Sequence, residues 1–255
     1  NQKYYFDFCA SLQKSFDIIF KKNLKFAIKE MKKHNVNSLV LSGGCIYNCV
    51  ALGKFLPKYI DNYFIPYSID DGGLTLGSSM LLNHKIDKKS KNYKFLEQYC
   101  SPYQGFNETE KNLLENVNSR NEVKIEHTNA KCVANLISEG KVIALFNGRS
   151  ESGKRALGNR SIVADPRDPN MKDRLNKKIK NRQTYRPFAP TILRDHVEEF
   201  FEQSVDSPYM NLSIKIKKNK VKLIPAVCHY DNSARLQTLD KNCNPEFYKL
   251  IEEFY

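Results

Sequence analysis

The arrangement that most limits what this chain can fold into is an apolar run that stops at two glycines and restarts as a helix. It occurs twice. Ser38-Leu39-Val40-Leu41 reads as a buried strand ending at Ser42-Gly43-Gly44, and from Tyr47 to Phe55 the apolar residues return at helical spacing. Tyr63 to Ile65 is a second short strand, which leads through Asp70-Asp71-Gly72-Gly73 into Leu74 to Leu82. Two strand, glycine turn, helix units in succession predict an α/β layer structure. Upstream, Leu12, Phe16, Ile19, Phe20, Leu24, Ala27, Ile28 and Met31 recur every three to four residues, which predicts an amphipathic helix ending near His34-Asn35.

The polar segment 83–121, broken by Pro102 and Gly105, reads as a domain boundary with a short helix at 108–117. The second half then predicts a strand at 123–126, a helix at 130–139 and a strand at 142–146. After a long basic stretch come helices at 171–180 and 197–201 and alternating strands at 211–217, 221–226 and 234–238. Asp168 or Asn170 is placed to cap the helix at 171. Pro245 starts a final helix through Phe254, since proline suits the first helical turn.

The chain is long enough for one large or two small domains, and with 41% hydrophobic residues composition gives no reason to expect disorder. Seven unevenly placed cysteines read as reduced thiols, which points to the cytoplasm, and no apolar run reaches bilayer length. A net charge of +13 implies anionic partners: nucleic acid, acidic lipid or phosphorylated small molecules. Much of it lies in Lys/Asn-rich runs such as 85–94 and 215–222, which read as solvated faces.

The chemistry concentrates in Asn147 to Ser161, where Gly148, Gly153 and Gly158 alternate with Arg149, Lys154, Arg155 and Arg160 directly after a strand. Glycines let backbone amides approach an anion, and arginines offer bidentate forks to phosphate or carboxylate. From Arg149 to Arg194 there are 13 Lys or Arg against four Asp or Glu. Gly148 and Gly153-Lys154 have phosphate-loop spacing, but Arg155 stands where that motif needs a magnesium-binding hydroxyl. Lys172, Asn176 and Lys180 form one helical stripe, and two prolines stiffen Tyr185 to Pro190 and so fix the direction of Arg186. Gly43 and Gly44 end a strand where α/β sheets meet ligands and are either a structural turn or a nucleotide contact, with Asn48 the side chain that would meet a ribose or base; Asp71 is either a turn former or a metal-site carboxylate. Cys45 and Cys49 read as buried thiols. His229, six residues before Arg235, is either structural or an acid or base.

Several of these stretches resemble the carbamoyltransferase family that includes the nodulation, cephamycin and tobramycin enzymes. The resemblance rests on Gly148 to Arg167, Met171-Lys-Asp-Arg-Leu-Asn176, Arg186-Pro-Phe-Ala-Pro190 and Pro225 to Thr238. Leu41 to Asn48 and Asp71-Gly-Gly-Leu-Thr-Leu-Gly77 add to it. It implies an α/β chain whose residues 1–95 form the back half of an actin-like (ASKHA) transfer domain. Residues 96–255 would form a YrdC-like domain with a mixed twisted sheet. That domain would make carbamoyl adenylate from ATP, with Mg2+, and the co-substrate carbamoyl phosphate. The actin-like domain would pass the carbamoyl group to a hydroxyl of a small-molecule acceptor near Fe2+ or a similar divalent metal.

By this resemblance Arg149, Glu151, Arg155, Arg160, Ser161, Lys172, Arg186 and Arg235 bind carbamoyl phosphate and ATP, with Arg155, Arg160 and His229 catalytic. Gly43, Gly44 and Asn48 hold the adenylate, and Asp71 binds the metal. No membrane and no specific nucleic acid are implied, and a homodimer is compatible. Position 154 is Lys where the family usually has Pro. The family's His-x-x-x-His metal motif and its Asn-Thr-Ser-Phe-Asn segment are not found, so the natural chain is expected to extend in both directions. Two other readings remain: a threonylcarbamoyl-adenylate enzyme acting on transfer RNA, and a basic module binding nucleic acid with salt-sensitive affinity.

Overall fold

The computed structural model describes residues 2–86, 101–107, 124 and 126–255. It is a mixed α/β structure. Helix α1, Gln2–Lys33, is followed by β1, Leu39–Val40, a 3-10 turn at Gly44–Tyr47, and α2, Cys49–Tyr59. Strand β2, Tyr63–Phe64, lies parallel to β1, and α3 spans Gly72–Ile86. After Asn35, whose backbone is left-handed and ends α1, the chain follows the strand, glycine turn, helix order read from the sequence twice over. β1 is shorter and less buried than expected, because Val40 is 65% exposed and only Leu41 beyond it is buried.

The second half contains α4, Ala130–Ser138, then β3, Ile143–Phe146, paired antiparallel with β4, Arg160–Val163. Helix α5, Met171–Lys178, precedes β5, Thr191–Leu193, and the single-turn α6, Val197–Phe200. β6, Leu212–Lys215, and β7, Ser233–Leu239, complete a mixed three-stranded sheet in the order β5-β7-β6, with β5 parallel and β6 antiparallel to β7. Helix α7, Pro245–Phe254, starts and stops where the proline and apolar period put it; Asn244 caps it by accepting from the Phe247 N–H.

Three expectations are corrected. Residues 221–226 are not a strand: the N–H groups of Val221 and Leu223 bond locally to the carbonyls of Lys217 and Lys220, and Pro225 has no N–H to offer a ladder. Neither Asp168 nor Asn170 caps α5 through its side chain; the Asp168 carboxylate turns the preceding loop by accepting from the Asn170 N–H. Cys45 is exposed rather than buried. β4 and β5 went unread because one opens on a charged Arg and the other has three residues. The helix at 108–117, part of the strand at 123–126 and the boundary near residue 95 lie outside the described residues.

The main core is built from distant parts of the chain. Leu24, Leu41, Ile46, Leu52, Leu56 and Ile69 pack with Ile192, Val197, Phe201, Leu212, Ile214 and Leu236 in one cluster. Helix α2 lies so close on β6 that a Cβ on Gly53 would stand 2.0 Å from the Ser213 carbonyl oxygen. Helices α4 and α7 bury a smaller cluster with Leu193 and Leu239. Among the described residues no helix is long and apolar enough to cross a membrane.

Candidate active site

The glycine-rich stretch is the loop from β3 to β4, and its shape is fixed from inside. Glu151 Oε1 accepts the backbone N–H groups of Leu157, Asn159 and Arg160 at 2.7, 2.9 and 3.2 Å. Ser161 Oγ accepts from the Gly158 N–H at 2.9 Å. Buried Asn159 donates to the Arg149 carbonyl and accepts from Asn244, the residue that caps α7. Gly158 has φ +118°, and a Cβ there would fall 2.3 Å from the Phe247 ring, so both backbone and space require glycine.

This frame sorts arginines that look equivalent in the sequence. Arg160 spends its fork on the carbonyls of Asn147, Asn159 and Gly148, and lies 3.5 Å over the Phe146 ring. Arg149 is exposed and its backbone bridges to Asn107. Arg155 points the other way, onto the ring of Tyr47, and its buried Nε has no hydrogen-bond partner among the described residues. Arg235, on β7, likewise has a buried unpartnered Nε.

Arg155 and Arg235 line one cleft of about 400 Å³, together with Lys154, Lys172, Lys180 and Arg182. Asp165 is the acidic side chain in its described wall, and it is already paired with Arg167 at 2.6 Å. Burial, and then the neighbouring Arg155 charge, hold the Arg235 guanidinium below its ordinary pKa; burial and Arg186 do the same to Arg182. Guanidinium groups that disfavour one another's charge, with no carboxylate between them among the described residues, make a site whose energy falls when an anion enters. Ser161, Gln237 and Thr191 add polar groups to the wall, and Gln237 is held by Thr191 and the Leu157 carbonyl.

His229 sits beside Arg235 and Lys172, and its proton can be placed. The Asp231 carboxylate, held down to about 2 by Lys215 and Ser233 against the upward push of burial, accepts the Ser233 hydroxyl at 2.6 Å. That uses the Ser233 hydrogen, so Ser233 Oγ accepts from His229 Nδ1–H at 3.1 Å. The lone pair is therefore on Nε2, which is buried and has no hydrogen-bond partner among the described residues. Burial, with Arg235 and Lys172, lowers the His229 pKa, against an opposing pull from Asp231.

A family model described as "Carbamoyltransferase C-terminus" matches residues 134–255, which contain every cation of the cleft. Nodulation protein NolNO of Sinorhizobium fredii is 34% identical across 97% of this chain and 37% of its own length. Nodulation protein NolO of Bradyrhizobium diazoefficiens is 32% identical across 97% and 45%, and Nodulation protein U of Sinorhizobium fredii 40% identical across 48% and 22%. The chain belongs to the carbamoyltransferase family. It spans less than half the length of these family members.

Of the residues singled out in the sequence, Arg155, Ser161, Lys172 and Arg235 meet in the cleft of this carbamoyltransferase family member. Glu151 and Arg160 brace the loop, and Arg186 is exposed with its carbonyl held by the wholly buried Asn176. In the first half, nothing lies within 4 Å of where a Cβ would project from Gly43 or Gly44, whereas the Asn48 side chain caps α2 and exchanges hydrogen bonds with Gln13. Asp71 is exposed, and among the described residues no three His, Cys, Asp or Glu side chains gather to hold a metal. Arg182 and Tyr47 were missed. Arg182 follows Asn181, whose left-handed backbone turns the chain at the end of the basic helix; an Asn just past a helix is the signal that could have found it.

Proposed function

We propose that the cleft between Arg155 and Arg235 binds carbamoyl phosphate and ATP and forms carbamoyl adenylate, as part of an ATP-dependent O-carbamoyltransferase. The supporting observation is the carboxylate-poor cluster of cations with unpartnered buried guanidinium Nε atoms. Hydrolysis of carbamoyl phosphate would release phosphate and leave carbamate. A carbamate oxygen would attack the α-phosphorus of ATP, with pyrophosphate leaving. An acceptor hydroxyl would then attack the carbamoyl carbon and displace AMP. Carbamate and triphosphate repel one another, so fixed guanidinium groups lower the barrier by holding both and by matching the charge that builds on the pentacoordinate phosphorus.

Lys172, Arg182 and Arg235 would hold phosphate oxygens. Neutral His229, which is not among the residues that line the cleft, would act from beside Arg235 and Lys172, with its lone pair on Nε2 free to accept a hydrogen bond or proton. Magnesium would arrive on the nucleotide, since the cleft's carboxylate is engaged with Arg167. The divalent ion of the transfer step does not fit the described ligand set around Asp71, and no step here runs through it. Gly43 and Gly44 would receive the adenylate at the open turn. The acceptor would be a small hydroxylated molecule.

The test is exchange of labelled pyrophosphate into ATP with and without carbamoyl phosphate. Exchange should require carbamoyl phosphate and fall at least a hundredfold in Arg155→Ala, on the order expected for losing a preorganised charge at a transition state. Full exchange in a folded Arg155→Ala protein would remove the cleft as the site of adenylation.

A further inference from the structure

We infer that Tyr47, in the first half of the chain, is a positioning residue for the cleft: its ring holds the Arg155 guanidinium where an anion between Arg155 and Arg235 meets it. The inference rests on the anion-binding reading of that cleft.

Arg155 needs such a support. A long side chain on a glycine-rich loop, with no carboxylate partner and no hydrogen bond to its Nε among the described residues, has little else there to fix it. The Tyr47 ring supplies a surface: the Arg155 guanidinium carbon lies 5.2 Å and the Lys154 ammonium 5.3 Å from its centroid. Both lie within the reach of a cation on an aromatic face. Tyr47 is itself anchored. It ends the 3-10 turn whose Ile46 is buried in the main core, and the Gly43 N–H ties the start of that turn to the Ile69 carbonyl at 2.6 Å.

The loop is pressed against the same place at two further points. A Cβ on Gly153 would stand 2.7 Å from the Tyr67 carbonyl oxygen, and Lys154 pairs with Asp70 at 2.5 Å. This pairing gives Lys154 a different use from its neighbour. Asp70 neutralises Lys154, while Arg155, on the same ring but without a carboxylate partner among the described residues, keeps its charge for a ligand. Burial and Asp70 push the Tyr47 hydroxyl above its ordinary pKa, so the ring stays a neutral phenol.

The test titrates carbamoyl phosphate by calorimetry into wild type, Tyr47→Phe and Tyr47→Leu, and into the same pair of changes made on Arg155→Gln. Tyr47→Phe should bind within about twofold of wild type, because the ring face is kept. Tyr47→Leu should bind about threefold to thirtyfold more weakly, the range of a partly desolvated cation–π contact. On Arg155→Gln it should cost nothing further. Equal losses in both backgrounds, or a Phe variant as weak as the Leu variant, would overturn the inference.

The Arg155 Nε–H signal in ligand-free protein is the second readout. It should be ordered in wild type and Tyr47→Phe and mobile in Tyr47→Leu. If wild type binds no carbamoyl phosphate, the anion-binding reading falls; the signal then decides Tyr47 alone, as it does if Arg155→Gln binds too weakly to titrate. An Arg155 side chain equally mobile in all three proteins would overturn the inference.

Discussion

At the scale of single residues, His229 shows how neighbours assign a role that residue type leaves open. Its Nδ1–H is committed to Ser233, and burial and nearby cations keep the ring neutral. A depressed histidine pKa has a definite sign in stability. Below the unfolded value of about 6.5 the unfolded chain takes up a proton that the folded protein resists, so stability present above that pH is lost as the pH falls through the folded value. The thermal midpoint should therefore drop between pH 7 and pH 5, and the drop should be shallower in His229→Gln. Parallel curves for the two proteins would mean that His229 is not the group being titrated. Asp231, at about 2, stays ionised throughout this range.

At the scale of one element, the β3–β4 loop depends on a carboxylate more than on its cations. One Glu151 oxygen gathers three backbone N–H groups, which gives a glycine-rich segment a single shape. Hydrogen bonds to a charged group are each worth about 1.5–3 kcal/mol. Removing Glu151 leaves three donors to find water, and we expect Glu151→Ala to destabilise the protein by about 2 kcal/mol or more in urea unfolding. Glu151→Gln, which keeps an acceptor oxygen, should lose less. An alanine variant with an unchanged midpoint would show that the loop is held by its Asn159–Asn244 contact instead. The sequence placed Glu151 among ligand-binding residues by resemblance; the geometry makes it the internal partner of the loop's amides.

At the scale of the whole molecule, the first and second halves share a core. Leu52 on α2 is fully buried in the cluster that also holds Leu212, Ile214 and Leu236 of the three-stranded sheet. Leu52→Ala should cost about 2–5 kcal/mol, the range for a buried leucine that leaves a cavity. Because the cluster is shared, hydrogen exchange should accelerate together in residues 49–59 and 212–239. Acceleration confined to 49–59 would mean that the two segments open independently. The shared core also explains how Tyr47 and Arg155 come to face one another: the turn carrying Tyr47 and the sheet carrying Arg235 are parts of the same packed unit.

Helix α7 was legible from Pro245 and an apolar stripe, α4 and β3 from their periods, and the two strand, glycine turn, helix units from punctuation, because each depends on residues close in the chain. The basic core was legible as composition, and its motifs carried the family. Which of its cations line the cleft was legible only in part: Arg155, Lys172 and Arg235 do, and Arg149, Arg160 and Arg186 do not. Arg155 and Arg160 sit five positions apart in one glycine-rich run, yet Arg160 is consumed by carbonyls of its own loop while Arg155 meets Tyr47 and Arg235 from distant segments. Local sequence determined the charge and the elements with a strong period or clear punctuation, though not β4, β5 or the 3-10 turns at 221–227. Tertiary packing decided the site, because the energy of a guanidinium is set by the acceptors, rings and like charges brought within a few ångströms of it, and those come from elsewhere in the chain.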